Sequence, residues 1–161
     1  MKDKFKQLSK DLILIVVVVL LTFVFSKTVV GLTAVIGDSM NDTYQSGDLL
    51  FTKKFNLKPE RFDVVTFSVG DRFFIKRVIG LPGETVSIDY NGNIIINGEI
   101  LKENYGKEPI EFPGLANNEI TLGENEYFVL GDNRNNSIDS RFEEVGAVDL
   151  SIITGIIIGG K

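Results

Sequence analysis

The sequence predicts a mainly β domain that follows one N-terminal transmembrane helix. Three observations support this fold class. Near the start of the chain, a run of fourteen residues carries no charge and follows a lysine-rich stretch. Beyond it, short apolar runs recur at the spacing that is typical of all-β domains. Asn91-Gly92 and Asn97-Gly98 are tight-turn dipeptides, because both residue types tolerate a positive φ.

The uncharged run, Leu12 to Phe25, contains Thr22 as its one polar residue. A helix needs about 20 residues to span the hydrocarbon core of a bilayer, so residues 12–30 are just long enough if Lys27 snorkels to the interface. A cleavable signal peptide has a similar basic start and apolar run, but it ends in a small-residue cleavage site. No convincing site of that kind follows, so we predict a retained signal-anchor at residues 12–30.

Charge is spread unevenly along the chain, which has 17 basic and 22 acidic residues among 161 and a formal net charge of −5. The first eleven residues hold four lysines against two aspartates, and an excess of lysine marks the cytoplasmic side of a membrane span. We therefore predict a single-pass protein of the cell membrane, with residues 1–11 in the cytoplasm and residues 31–161 on the extracytoplasmic face. The acidic body argues against nucleic acid as a partner, because nucleic-acid binding needs a basic face.

Eight short apolar runs in residues 31–161 predict the strands of the β domain. They are Leu49–Thr52, Val64–Phe67, Phe73–Ile79, Thr85–Ile88, Asn93–Ile96, Ile120–Leu122, Tyr127–Leu130 and Ile152–Ile158. The last run is too short to span a bilayer and predicts a buried strand. Residues 102–118, which include Pro109 and Pro113, predict a long surface excursion between strands. This excursion lies in a small insert near residues 97–124.

The chain contains no cysteine and no histidine. These absences exclude disulfides, thiolate and imidazole metal ligands, cysteine nucleophiles and a Ser-His triad. We predict no metal site and no cofactor. Hydrolytic chemistry must therefore rest on carboxylates, lysine or hydroxyl groups.

Three polar segments beside apolar strands are candidate sites. In the first, Gly37-Asp38-Ser39-Met40, glycine lets the backbone approach a substrate and lets the serine amide point at a developing oxyanion. Taken alone, this tetrapeptide is a weak signal and favours an ordinary loop serine.

The second segment is the strand Phe73 to Gly80, whose period of two places Lys76 between Phe74 and Val78 on one face. If that face is buried, desolvation lowers the pKa of the lysine, and a neutral lysine can act as a general base. If the face is exposed, Lys76 is an ordinary surface lysine. The residues alone leave both interpretations open.

The third segment, Gly131 to Arg141, is dense in hydrogen-bond donors and acceptors. A calcium loop is excluded, because Arg134 stands at a ligand position and the mid-loop glycine and closing glutamate are missing. A structural network of turns remains the alternative interpretation.

Together, in this order and behind the predicted anchor, the segments resemble the sequence boxes of bacterial type I signal peptidases. In a chain without histidine, a serine hydrolase needs another base, and Ser-Lys is a known variant. The resemblance extends from Lys10 to about Val148. The matching stretches are Ser39-Met40 with Thr43, Gly47–Leu50, Asp63–Phe67, Ile75–Glu84, and Gly131–Arg141 with Gly146.

The resemblance implies a fold of curved antiparallel sheets and a role for each residue of a serine peptidase site. Ser39 would be the nucleophile, and Lys76 would be the general base that takes its proton. Ser137 would orient the Lys76 amine by a hydrogen bond. Asp139 and Arg141 would form an ion pair that shapes the site.

The resemblance also implies substrates and the groups that bind them. The backbone of Gly37, Ser39 and Met40 would bind the oxyanion and the substrate. The substrates would be exported preproteins with small residues at positions −1 and −3 before the cut, and membrane lipid would be the second partner.

Two departures from the family pattern follow the nucleophile. Asp42 stands where proline is usual, and Tyr44 stands where leucine is usual. The carboxylates of Asp38 and Asp42 would oppose base catalysis if they approached Lys76, because they would favour the protonated amine. The altered box motivates an alternative function, a catalytically weak homologue that binds pilin-like surface subunits and aids their assembly. A self-cleaving repressor shares Ser-Lys chemistry, but the apolar run stands where its DNA-binding domain would be.

Overall fold

The structure, a computed structural model, describes residues 2–106 and 108–160, and the side chains of these residues except 2–9 and 24–28. Its first element is the helix α1, Lys2–Val29. The expectations for the charges of Lys2, Lys4 and Lys6 and for snorkelling by Lys27 lie outside the described side chains. Among the described residues, no helix is long and apolar enough to qualify as a membrane span.

Eleven β-strands follow the helix in the described part of the chain. They are β1 Val30–Ala34, β2 Leu49–Lys53, β3 Val64–Val69, β4 Arg72–Gly80, β5 Thr85–Ile88, β6 Ile94–Ile96, β7 Glu99–Ile100, β8 Ile120–Thr121, β9 Glu126–Leu130, β10 Val148–Asp149 and β11 Ile153–Ile157. Three 3-10 helices, Gly114–Asn117, Arg134–Asn136 and Leu150–Ile152, lie in the connections.

The strands form two sheets, and every pairing between them is antiparallel. The larger sheet has seven strands in the order β1-β2-β11-β3-β4-β9-β10, and the smaller has four in the order β7-β6-β5-β8. The predicted mainly β, antiparallel architecture is therefore confirmed. Strand β11 lies inside the larger sheet between β2 and β3, so the last apolar run is the buried strand that its length predicts.

All eight predicted strands are present, and three further strands were missed. Strands β7 and β10 have two residues each, too short for an apolar pattern to register. Strand β1 was missed because Val30 to Ala34 continues the apolar run of the predicted anchor. The helix ends at Val29, and Val30 already pairs with Lys53 in the larger sheet.

The core occupies both faces of the centre of the larger sheet. On β9, Phe128 and Leu130 pack in one apolar cluster, with side chains of the smaller sheet, while Tyr127 and Val129 pack in another on the opposite face. On β4, all residues from Phe74 to Gly80 are buried. A polar side chain in this part of β4 therefore leaves water whichever way it points.

Residues 102–118 connect β7 to β8, as predicted, but they are not wholly at the surface. The side chains of Ile110 and Ala116 belong to the apolar cluster that joins the two sheets. Within this connection, the described hydrogen bonds also tie Leu115 to the third polar segment, through its N–H and the Arg141 carbonyl at 2.8 Å.

Candidate active site

The structure brings Ser39 and Lys76 into direct contact. Lys76 Nζ donates a hydrogen bond to Ser39 Oγ at 2.7 Å and another to the Ile75 carbonyl at 3.1 Å. Lys76 lies on β4 and is 3% exposed. The two sequence interpretations of this lysine are thus resolved in favour of the buried one, because both faces of β4 are covered at this point.

Ser39 lies in the loop after β1, and contacts on both sides hold the loop in place. Beneath it, the side chain of Met40 is buried in an apolar cluster with Val35 and Ile75. From the third polar segment, Asn133 N donates to the Ser39 carbonyl at 3.0 Å, and Asn133 Nδ2 donates to the Asp38 carbonyl at 3.1 Å. Ser39 is therefore carried by a fixed loop.

Burial lowers the pKa of Lys76 to about 8, from an ordinary value of 10.5. Loss of hydration disfavours the ammonium form and is the largest cause. The carboxylates of Asp139 and Asp132 raise this pKa and the guanidinium groups of Arg72 and Arg141 lower it, all by less. A substantial fraction of the amine is therefore neutral at mildly alkaline pH.

Asp38 and Asp42 are not among the causes that set the pKa of Lys76. The side chain of Asp38 is exposed. Burial is therefore the main influence on the basicity of the lysine.

Asp139 and Arg141 form the expected ion pair. Arg141 Nε lies 2.8 Å from Asp139 Oδ1, and Arg141 Nη2 lies 2.9 Å from Asp139 Oδ2, with both residues buried. Asp139 Oδ2 also accepts from the N–H of Gly131 at 3.0 Å, and Arg141 Nη2 donates to the Arg134 carbonyl at 2.6 Å. The pair therefore ties both ends of the third polar segment together.

Ser137 differs from the expectation, because its hydrogen bond to Lys76 is not formed. Its hydroxyl is buried and has no hydrogen-bond partner among the described residues. The Lys76 amine instead bonds to Ser39 and to the Ile75 carbonyl. Ser137 nevertheless lies beside the nucleophile: a Cβ built on Gly131 would stand 2.2 Å from Ser137 Oγ and 2.5 Å from the Ser39 carbonyl oxygen. The glycine is what allows these two serines to approach.

Sequence reasoning missed a second buried ion pair, between Arg77 and Asp132. Arg77 Nε and Nη2 contact the two carboxylate oxygens of Asp132 at 2.7 and 2.6 Å, and the arginine is 0% exposed. Thr43 Oγ1 donates to Asp132 Oδ2 at 2.5 Å, while Arg77 Nη1 donates to the carbonyls of Phe62 and Gly160. The contacts among Thr43, Arg77 and Asp132 link the loop of Ser39, strand β4 and the third polar segment. The sequence signal of the ion pair was an arginine inside an apolar strand.

An open cleft of about 730 Å³ contains the Ser39 and Lys76 side chains. Its walls are residues 34–40, 72–76 and 135–138, with Phe142. Within the described chain, the Ser39 N–H makes no hydrogen bond, and Gly37, at φ +89°, adds no side chain in front of it. Because the Met40 side chain is in the core, only its backbone can serve the substrate-binding role that the sequence assigned to it.

Comparison with known proteins gives consistent matches. The family model "Signal peptidase, peptidase S26" matches residues 8–158. Signal peptidase I S of Bacillus subtilis is 34% identical over 153 residues, covering 87% of this chain and 80% of the relative. Probable signal peptidase I-2 of Synechocystis is 39% identical over 115 residues, and the match covers 65% of this chain and about half of the relative, 51%.

Among solved structures, a signal peptidase I from Enterococcus faecalis matches with a TM-score of 0.53 and 35% identity. The match covers 63% of this chain and 98% of that one. The likeness therefore extends to the arrangement of the strands.

Proposed function

The chain belongs to the signal peptidase family, peptidase S26, and from this premise we propose that it removes signal peptides from exported preproteins with Ser39 as nucleophile and Lys76 as general base. The observation that carries the proposal is the 2.7 Å contact between Ser39 Oγ and Lys76 Nζ. A buried amine with a lowered pKa beside a hydroxyl is the arrangement that activates serine when histidine is absent.

In the acylation step, neutral Lys76 accepts the Ser39 proton while Oγ bonds to the scissile carbonyl carbon. The negative charge that develops on the carbonyl oxygen is stabilised by the free N–H of Ser39. The tetrahedral intermediate then collapses, the carbon–nitrogen bond breaks, and the Lys76 ammonium gives its proton to the leaving amine.

In the deacylation step, Lys76 is neutral again and takes a proton from water. The resulting hydroxide attacks the ester carbon, the bond to Ser39 Oγ breaks, and the Lys76 proton returns to the serine. Asp139 and Arg141 touch none of these atoms in the proposed reaction, and their part is to hold the third segment against the nucleophile.

The proposed substrate is an extended peptide with small residues at positions −1 and −3. The open cleft supports this, because its walls carry the exposed apolar side chains of Ile36, Phe73 and Ile138. Small side chains would pack against these residues, and burial of a methyl group there is favourable.

We further propose that residues 12–30 anchor the enzyme in the membrane, with residues 1–11 cytoplasmic and residues 31–161 outside. The described apolar side chains of α1 between Leu12 and Phe23 are 43–64% exposed. Ser39 is nine positions after Val30, a distance of at most ~32 Å in an extended chain. The nucleophile would thus act near the membrane surface, where the apolar part of a signal peptide ends.

The test is cleavage of a preprotein with a small-x-small site by the full chain in detergent. Wild type is expected to cut after the second small residue, and Ser39→Ala and Lys76→Ala are expected to lose cleavage by at least about 10³-fold. Ser68→Ala and Lys58→Ala, which change exposed residues away from the cleft, are the matched controls. Cleavage by wild type that does not exceed cleavage by the Ser39 and Lys76 variants would contradict the proposal.

The altered box after Ser39 motivates the alternative of a weak homologue that assembles pilin-like subunits. The loop that carries this box nevertheless places Ser39 Oγ 2.7 Å from Lys76 Nζ. The contact between base and nucleophile supports an active enzyme instead.

A further inference from the structure

A loop outside the catalytic cleft contacts two arginines that hold the site together. We call residues 101–106, which leave the smaller sheet after β7, the insert loop. In this loop, Glu103 accepts two hydrogen bonds from Arg134. Nη1 donates to Oε1 at 2.5 Å, and Nη2 donates to Oε2 at 2.7 Å. The two side chains are 13% and 3% exposed, so the pair is largely shielded from water. A forked, shielded pair of this kind sets the position of the guanidinium closely.

Arg134 is in turn bonded to the segment that lies beside Ser39. Its Nε donates to the Gly131 carbonyl at 3.0 Å. Gly131 in turn lies directly against the Ser39 carbonyl and Ser137, where even a methyl group would not fit. A displacement of Arg134 would therefore move Gly131, which contacts the loop of Ser39 directly.

The insert loop also approaches the Arg134 guanidinium closely at Gly106. Gly106 has φ +71°, and a Cβ built there would stand 2.7 Å from Arg134 Cζ. Because glycine alone tolerates both this φ and this distance, the loop is shaped to the arginine.

The second contact of the insert loop is made by Tyr105. Its ring centroid lies 3.6 Å from Arg77 Cζ, close enough for cation–π attraction. Arg77 follows Lys76 on β4 and holds Asp132, which in turn accepts from Thr43 in the loop of the nucleophile. Tyr105 thus covers the ion pair that joins the strand of the base to that loop.

We propose that Glu103 and Tyr105 are positioning residues, which set the distance and orientation of Ser39 relative to Lys76 through Arg134 and Arg77. This inference rests on the proposed function for its meaning, but the geometry of the nucleophile can be measured without a peptide. Neither residue lines the catalytic cleft, so neither is expected to bind substrate. Removal of Glu103 would leave a shielded guanidinium unpaired, and Arg134 would turn towards water and release Gly131.

The experiment compares full-chain Glu103→Gln and Tyr105→Leu with wild type in detergent. Two rates are measured per folded molecule: kcat for a preprotein, and the second-order rate at which a fluorophosphonate probe labels Ser39. Both rates should fall by about ten- to a hundredfold, because displacements near 1 Å at the reacting atoms cost that much. KM should stay close to the wild-type value, since the cleft is untouched.

Tyr105→Phe and Glu99→Gln are the matched controls. Phenylalanine keeps an aromatic face over Arg77, so kcat and the labelling rate should return to wild-type values. Glu99 is an exposed carboxylate on β7 in the same small sheet, and its loss should change neither rate. Glu103→Asp, which keeps the charge but is one methylene short, replaces Glu103→Gln if that variant fails to fold.

Two outcomes would overturn the inference. One is a lower melting temperature with unchanged kcat and labelling rate, which would make the two residues merely structural. The other is a Tyr105→Phe variant as impaired as Tyr105→Leu. If wild-type enzyme labels with the probe but cleaves no preprotein, the proposed function fails, while the comparison of labelling rates still decides the inference.

Discussion

Lys76 and Arg77 are neighbours on β4 and nearly equally buried, yet they have opposite electrostatic roles. Arg77 is matched by the Asp132 carboxylate and by two carbonyls, so its charge is compensated inside the protein. Among the described residues, Lys76 bonds to a hydroxyl and a carbonyl and to no carboxylate. Burial therefore lowers the pKa of Lys76. The hydrogen-bond partners, and not the degree of burial, therefore distinguish Lys76 from Arg77.

The first prediction concerns the pH dependence of cleavage. Because Lys76 has a pKa of about 8 in the free enzyme and only its neutral form accepts a proton, kcat/KM should rise with pH through that region and level off above it. Arg72→Gln removes a nearby positive charge that lowers this pKa, so the rise should move to higher pH by less than about one unit. Rates between pH 6 and 10 with a short peptide substrate measure both. A flat profile, or a shift of the Arg72 variant to lower pH, would remove Lys76 as the base.

The second prediction concerns Gly131, where the close approach of Ser137 and the Ser39 carbonyl leaves no space for a side chain. Gly131→Ala should lower kcat by about a hundredfold or more, because the third segment must move off the nucleophile. Gly123→Ala is the matched control, since its added methyl group would meet only the flexible end of Glu126 at 3.2 Å. Steady-state kinetics and melting temperatures of the two variants are compared. Equal kcat values for the two variants would mean that the close approach at Gly131 is not required for activity.

At the scale of elements, the sequence predicted where the strands lie along the chain, but not how deeply their side chains are buried. Apolar alternation placed β4 and identified Lys76 on it, but the residues alone left open whether that face was exposed. The answer depends on β3 and β9, which pair with β4 on its two sides, and on the clusters that cover both faces of the sheet. These are contacts between segments far apart in the chain, and no local pattern carries them. The pair of Arg77 and Asp132, 55 positions apart, was missed for the same reason.

The third prediction addresses the loop after the nucleophile, where Asp42 replaces the proline of the family pattern. Asp42 has φ +79°, which the proline ring forbids and which aspartate and asparagine tolerate better than most residues. Asp42→Pro should therefore lower the free energy of unfolding by more than about 1 kcal/mol and reduce cleavage, because the loop must refold around Thr43. Asp42→Asn should behave like wild type. Denaturant unfolding of both variants is the measurement, and a proline variant as stable as wild type would contradict this loop conformation.

At the scale of the whole molecule, the site is assembled from three segments on one rigid sheet and one long connection. The larger sheet supplies Lys76, the loop after its first strand supplies Ser39, and the residues after β9 lie beside both. The buried apolar clusters of the described chain lie between Val35 and Ile157. Among the hydrogen bonds of the described residues, none of those at the site involves α1. The catalytic body should thus fold and react without the helix, and the helix should matter for where the body works.

The fourth prediction follows from that separation. Removal of residues 1–29 should leave kcat for a soluble peptide within roughly twofold of the full chain, because every contact of the site is retained. Cleavage of a preprotein whose signal peptide is embedded in lipid vesicles should fall by at least about tenfold, since the tether no longer holds enzyme and substrate at one surface. Fusion of an unrelated apolar helix of similar length should restore the vesicle reaction, because the proposal asks only for a tether. Equal losses on both substrates would show that α1 supports the site itself, and no loss on vesicles would show that anchoring does not bring the enzyme to its substrate.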